Sequence, residues 1–308
     1  MRTTRVPFRP LLPGLGFLVF ALGACTAARD RPAIDLARVA WQHGAASCAS
    51  QTEPAIQVVR YDARTWILRQ NKCLNYEAPF LFLLVGEQRA LLLDTGATAD
   101  SVAFPLYRTV RQLLQNWQTA HGHRPLELVV AHTHNHGDHR AADAQFRGQP
   151  HVQLVGLEAE QVQQFFGLPA WPQQSAGFEL GRRRLEIIPI PGHQAASIAV
   201  YDPATHLLFT GDTVYPGRLY VQDWPAFQAS IQRLVDFAAH HKVTFVVGNH
   251  IEMSRTPGFD YPIGTTFQPD EHPLPLHVAD LQQLNRDVQA LGARPTRRVE
   301  DAFIIDPQ

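Results

Sequence analysis

Short runs of apolar or alternating residues, set apart by turn formers, begin near residue 55. Ile56–Tyr61, Thr65–Arg69, Pro79–Val85 and Arg89–Asp94 each have the length of a strand. The style returns in Leu126–Ala131, Leu185–Ile190, Ser197–Tyr201 and His206–Thr210. Apolar residues recur with helical spacing in Ser101–Thr119, Glu158–Phe166 and Trp224–His240. Strands, a helix, a strand, then the same order again predict a mixed α/β chain. The pattern alone does not fix how its sheets stack.

The first 24 residues do not read as fold. Arg2, Arg5 and Arg9 precede an apolar stretch, Leu11–Leu22, that Pro13, Gly14 and Gly16 interrupt. This stretch is too short and broken for a membrane span and has the layout of an export signal. Leu22-Gly23-Ala24-Cys25 resembles a bacterial lipobox, which implies a lipid anchor on Cys25; an ordinary cleaved signal with an incidental cysteine is the alternative. Thr26 stands where a retention aspartate would, so the expectation is an outer-membrane lipoprotein on the periplasmic face of the cell envelope. Residues 25–54 are expected to be a tether with a short helix at Ile34–Trp41. Residues 55–308 are expected to form one domain, with a Pro-rich extension from about 251.

Export changes how the cysteines read. Cys48 and Cys73 are the pair left after Cys25, and in an oxidising compartment an even pair suggests a disulfide, two free thiols being the alternative. With 45% hydrophobic residues the chain can bury a sizeable core. A formal net charge of −1 and no basic run beyond the leader disfavour a nucleic-acid partner.

The chemistry gathers in His132-Thr133-His134-Asn135-His136-Gly137-Asp138-His139, directly after an apolar strand. Imidazole and carboxylate at this density suit zinc, and other borderline metals less exclusively. The chain here is similar to the metallo-β-lactamase superfamily. Leu92-Leu93-Asp94-Thr95-Gly96, Thr133–His139, Pro191-Gly192-His193, Thr210-Gly211-Asp212-Thr213 and Gly248-Asn249-His250 carry the resemblance, in the family's order, between about Ala55 and His250.

The resemblance implies an α/β fold of the αββα sandwich type. It implies two Zn2+ ions, Fe or Mn remaining open: His134, His136 and His193 for the first, Asp138, His139 and His250 for the second, and Asp212 bridging. Asp94 is implied as a carboxylate behind the metal loop that orients a ligand or the loop backbone. Asp138 and Tyr215 are the candidate catalytic residues. Tyr215 has the spacing of a lactonase tyrosine that donates to the substrate carbonyl; a packing role is the alternative, and Tyr220 and Trp224 are rival pocket residues. His272, in a Pro-rich segment, is a candidate for touching substrate, and His132 is expected to point off the metal loop.

The function expected from this set is a dinuclear zinc hydrolase acting on an ester, thioester or lactone. A periplasmic β-lactamase is one alternative, against which the Gly-Asp-Thr context of Asp212 argues. A mononuclear iron sulfur dioxygenase and a metal-binding lipoprotein without turnover are the others. No Gly-x-Ser-x-Gly elbow offers a protein nucleophile.

Overall fold

The strand-length runs do form strands, and their pairing explains why so many are apolar on both faces. This is a computed structural model that describes residues 1–2, 34–122 and 125–308. Nearly all of the expected signal, and Cys25 with it, lie outside the described residues. The chain divides into two units, Met1–Arg31 and Pro32–Gln308, and the strands and helices of the described residues lie in the second.

In chain order come β1 (Ile56–Arg60), β2 (Thr65–Gln70), β3 (Phe80–Val85), β4 (Arg89–Leu93), α1 (Leu106–Ala120), β5 (Glu127–Ala131), the one-turn helix α2 (Gly137–Arg140) and β6 (Val152–Leu154). After them come α3 (Ala159–Phe166), β7 (Ala176–Glu179), β8 (Arg184–Pro189), β9 (Ile198–Asp202), β10 (Leu207–Gly211), β11 (Arg218–Val221) and α4 (Trp224–His240). The last elements are β12 (Phe245–Gly248), β13 (Pro275–Leu276), α5 (Val278–Leu291), β14 (Arg298–Val299) and β15 (Ile304–Pro307). One six-stranded sheet has the order β1-β2-β3-β4-β5-β6, and the other β13-β12-β10-β9-β8-β7. A small third sheet joins β11, β15 and β14.

The two large sheets face each other. Phe82, Leu84, Leu91, Leu93, Val129 and Ala131 of the first share a core with Ile187, Ile198, Val200, Phe209 and Val247 of the second. The rings of Phe82 and Phe209 meet across it at 4.5 Å. The alternate residues point outward, as a strand's two-residue period requires. Leu81, Leu83, Leu92 and Val130 pack on Val110, Leu114 and Trp117 of α1. On the far side Ile188, Ala199, Leu208 and Val246 pack on Phe227 and Ile231 of α4 and on Leu281, Leu284 and Val288 of α5. Helix, sheet, sheet, helix is the αββα sandwich. Strands covered on both faces read as unbroken apolar runs, and every residue of β3 is buried.

Three boundaries differ from the sequence reading. The helix expected from Ser101 starts at Leu106, because Pro105 lacks the N–H that a helix interior needs and sits at the N-cap. The expected tether is, from Ile34 onward, part of the folded unit: Leu36 is fully buried, and Trp41 stands edge-on to Phe80 at 4.8 Å. Leu36 and Trp41 lie five apart, a poor helical stripe, and the only helix formed there is the single turn Leu36–Arg38. The Pro-rich extension holds α5, whose Leu281, Leu284 and Val288 keep the helical spacing that its flanking prolines obscured.

Cys48 and Cys73 form a disulfide with Cα atoms 5.2 Å apart. No helix among the described residues is long and apolar enough to cross a membrane.

Candidate metal centre

Every residue of the expected ligand set follows the C-terminal end of a strand, where the chain leaves the sheet and is free to turn. His134, His136, Asp138 and His139 come after β5, His193 after β8, Asp212 after β10 and His250 after β12. Gly211 is at φ +56°, and a Cβ there would sit 2.8 Å from the Thr133 side chain. The sharp exit into Asp212 therefore requires glycine.

The loops converge into two groups. Around the first, His134 Nε2 lies 3.0 Å from His136 Nδ1 and 3.2 Å from His193 Nε2, and the third edge of that triangle is 3.0 Å. In the second, His139 Nε2 lies 3.3 Å from His250 Nε2, and Asp138 Oδ2 is 3.2 and 3.3 Å from those two nitrogens. Asp212 Oδ2 stands between the groups, 3.3 and 3.4 Å from His139 and His250 and 3.9 Å from both His134 and His193.

The far nitrogens fix which atom of each ring faces inward. His193 Nδ1 donates to Tyr220 O at 2.7 Å, His250 Nδ1 to Glu77 O at 2.9 Å, and His139 Nδ1 to Asp94 Oδ2 at 3.2 Å. His134 Nδ1 faces the Thr133 hydroxyl at 3.2 Å. A proton committed to the outer nitrogen leaves the inner one with a lone pair. Lone pairs pointed at one another repel unless a cation lies among them. Four donors about 2.0–2.1 Å from one tetrahedral ion stand about 3.3 Å apart, close to the edges seen here. Asp212 Oδ1 is buried without any hydrogen-bond partner, a lone pair that a cation's charge would satisfy. The residues present thus fit a pair of divalent cations, and each of the two groups can hold one.

Without an ion the cluster balances its own charge, through protons on His139 and His250 that a bound cation would displace from Nε2. Burial pushes His139 and His250 toward the neutral form, but Asp212 and Asp138 outweigh it and hold both imidazoles well above the usual histidine range. Burial pushes His134 and His193 down. Asp212 and Asp138 resist burial because His139 and His250 keep them ionised far below the usual carboxylate range.

Asp94 is the hub beneath the cluster. Fully buried, it accepts from Thr133 N at 2.8 Å on Oδ1, and on Oδ2 from the Thr133 hydroxyl at 2.9 Å, Asn249 Nδ2 at 2.6 Å and His139 Nδ1. Its backbone is left-handed, φ +68°. A side chain that strains its own backbone at such a junction holds several loops at once. His132 points away from the groups, to Asp143 Oδ1 at 2.9 Å, which also accepts from Thr95.

The expected substrate contacts fare differently. Tyr215 lies against the His250 ring at 5.7 Å, but its hydroxyl is buried between Arg218 O and Glu252 Oε2. Burial, with the Glu252 carboxylate, keeps the phenol protonated. A donor already committed inside the protein is not free for a substrate carbonyl, which favours the packing alternative over the oxyanion role. Trp224 is also a packing residue, its Nε1 donating to Gly292 O at 2.7 Å between α4 and α5. His272 lines a different pocket, with Trp41, His43 and Arg255. Tyr220 stays beside the site through its carbonyl on His193, with its hydroxyl 3.1 Å from Arg218 Nε.

Sequence reasoning gave no role to Asn249, which ties Asp94 to Phe80 O, and missed the carbonyls of Glu77 and Tyr220. Asn249 was legible as part of Gly-Asn-His. A carbonyl leaves no sign in a sequence.

The family model described as the metallo-beta-lactamase superfamily matches residues 78–250. A hydroxyacylglutathione hydrolase from Mesorhizobium japonicum is 30% identical over 114 residues, 36% of this chain and 44% of the relative, so less than half of that relative is spanned. The acyl-coenzyme A thioesterase MBLAC2 of Gallus gallus is 30% identical over 207 residues, covering 56% of this chain and 72% of the relative. A solved structure titled metallo-beta-lactamase from Pontibacter korlensis aligns with 76% of this chain and 99% of its own at 20% identity, TM-score 0.48.

Proposed function

Because the chain belongs to the metallo-β-lactamase superfamily, we propose that it is a metal-dependent hydrolase with two zinc ions and a thioester substrate. The observation that carries the reading is Asp212, whose Oδ2 stands between the two donor groups while its Oδ1 is buried and unpartnered. His134, His136 and His193 would hold one ion, and Asp138, His139 and His250 the other, with Asp212 shared. When bound, such ions supply an ionised water near neutral pH and polarise the carbonyl under attack.

The chain's own residues do the rest. Asp138, with a side chain 23% exposed, is a carboxylate of the cluster that solvent reaches. Held ionised, it orients the attacking water by accepting its hydrogen bond. Asp94, through His139 Nδ1 and Thr133, keeps the loop from shifting as charge changes at the site. Asp212, buried among four imidazoles, keeps both groups at one separation. The leaving group then departs as thiolate or alkoxide rather than as an amine.

The names of the two curated relatives support a thioester within the wider ester, thioester or lactone class. Each denotes cleavage of an acyl group from sulfur. The Cys48–Cys73 bridge supports an oxidising compartment, and with the Cys25 motif it supports a lipid-anchored protein of the cell envelope.

Metal analysis followed by a panel of thioester, ester, lactone, β-lactam and phosphodiester substrates tests the function. Thioesters are expected to turn over fastest. One iron per chain would end the hydrolase reading in favour of a dioxygenase, and dominant carbapenem hydrolysis would end the thioester reading. Membrane fractionation of wild type and Cys25→Ser tests the anchor, which an unmodified cysteine in wild type would refute.

A further inference from the structure

Two backbone carbonyls orient the histidines that come from the second sheet's strand ends, and they are held in different ways. Tyr220, whose carbonyl receives His193, lies inside β11, and the β11–β15 ladder fixes its backbone. Glu77, whose carbonyl receives His250, lies in the loop of residues 71–79 between β2 and β3, outside any ladder. A carbonyl in a loop stays in place only as far as the loop is tied down.

The ties are specific. Asn75 Nδ2 donates to Ala97 O at 3.2 Å, and Asn75 Oδ1 accepts from Glu77 N at 3.0 Å. Lys72, nearly fully buried, donates from Nζ to Tyr76 O at 3.0 Å, one peptide before the carbonyl in question. Cys73, in the middle of this run, is bonded to Cys48. The Cys48 side adds nothing to the core, because the turn Cys48–Ser50 has no buried residue. What the bridge can do is local: it pins residues 71–79 to the segment that Gln42 anchors on Arg69 O at 3.0 Å.

We infer that the loop of residues 71–79, clamped by the Cys48–Cys73 disulfide and the Lys72 ammonium, is a positioning element for His250 and so sets the cation affinity of the second group alone. This rests on the two-group metal reading above. With the clamp gone the loop keeps its turn hydrogen bonds but gains freedom, and Glu77 O ceases to fix the His250 ring. Losing a partner that orients a ligand costs about 10–100-fold in metal affinity. The first group is spared because its carbonyl belongs to a strand.

The test is a calorimetric titration of the metal-free full chain with Zn2+, wild type against Cys48→Ala/Cys73→Ala. Wild type is expected to show two binding steps. In the variant one step should weaken at least about tenfold while the other stays unchanged. A clamp that served only overall stability would lower the unfolding midpoint of the metal-free form and move both steps together or neither, and either result overturns the inference. Should the double variant not fold, Lys72→Met, which leaves the bridge intact, is read in the same titration with the same two outcomes. If wild type takes up no zinc, the metal reading itself falls and this inference with it.

Discussion

Replacing Asp94 gives three variants whose order of stability follows from geometry. Its Oδ1 accepts one hydrogen bond and its Oδ2 three. In Asp94→Asn the amide turns its NH2 toward the single donor, Thr133 N, and keeps oxygen toward the three. One buried bond is lost and three become weaker, a cost of about 2 kcal/mol. Asp94→Ala leaves all four donors unpaired. Some re-pair with water or with one another, and the net cost is roughly 4–5 kcal/mol, a large part of a domain's stability. Asp94→Gly removes the same acceptors yet suits φ +68°, so it should be about 1 kcal/mol more stable than Asp94→Ala. Urea unfolding of the metal-free proteins measures all three. Zinc affinity of the His139 group should fall about 10–100-fold in Asp94→Asn. If Ala and Asn cost the same, or if Gly is the worst of the three, the hub reasoning is refuted.

Other expectations are simpler to state. His139→Ala should lose about half of the bound divalent cation by plasma-mass spectrometry, since His134, His136 and His193, with Asp212, still serve the first group; loss of all metal would show that the groups are not separable. Tyr215→Phe should keep turnover within about threefold while lowering stability by about 1 kcal/mol, because the hydroxyl serves Arg218 O and Glu252; a hundredfold fall in turnover would restore the oxyanion role. Burial, helped by Arg69, lowers Lys72 from 10.5 to about 8. Between those values the unfolded chain holds a proton that the folded chain has released, so this group makes stability rise with pH there, by up to about 3 kcal/mol. Lys72→Met should lack that rise in chemical denaturation at pH 7.5 and pH 10, and identical pH profiles would contradict the shift.

The donor set was legible because metal chemistry confines it to a few residue types at loop positions, and His134, His136, His193 and His250 all stand within two residues of a glycine or within the one dense loop. The sandwich was legible in its central strands, where β3 and β10 are buried on both faces and carry almost no polar residue. Edge strands such as β6 and β7 are short and half exposed, so their pattern resembles a loop's. Tyr215 stayed open between two roles because spacing along the chain fixes where a Cα lies and not where its hydroxyl points. The small sheet of β11, β14 and β15 was invisible for another reason: β11 and β15 lie far apart in sequence, and β14 has two residues.

The parallel pairings have a consequence for how the protein acquires its chemistry. β10 meets β12 only across α4, β4 meets β5 only across α1, and the Asn249–Asp94 bond joins residues 155 apart. Contacts of such high order form late, after the entropy of closing long loops has been met. The strong cation trap is therefore absent from the nascent chain and from early collapsed states, which offer only the local His134–His139 fragment. Metal uptake becomes a reporter of completed folding: tight zinc capture should follow the slowest refolding phase and never precede it.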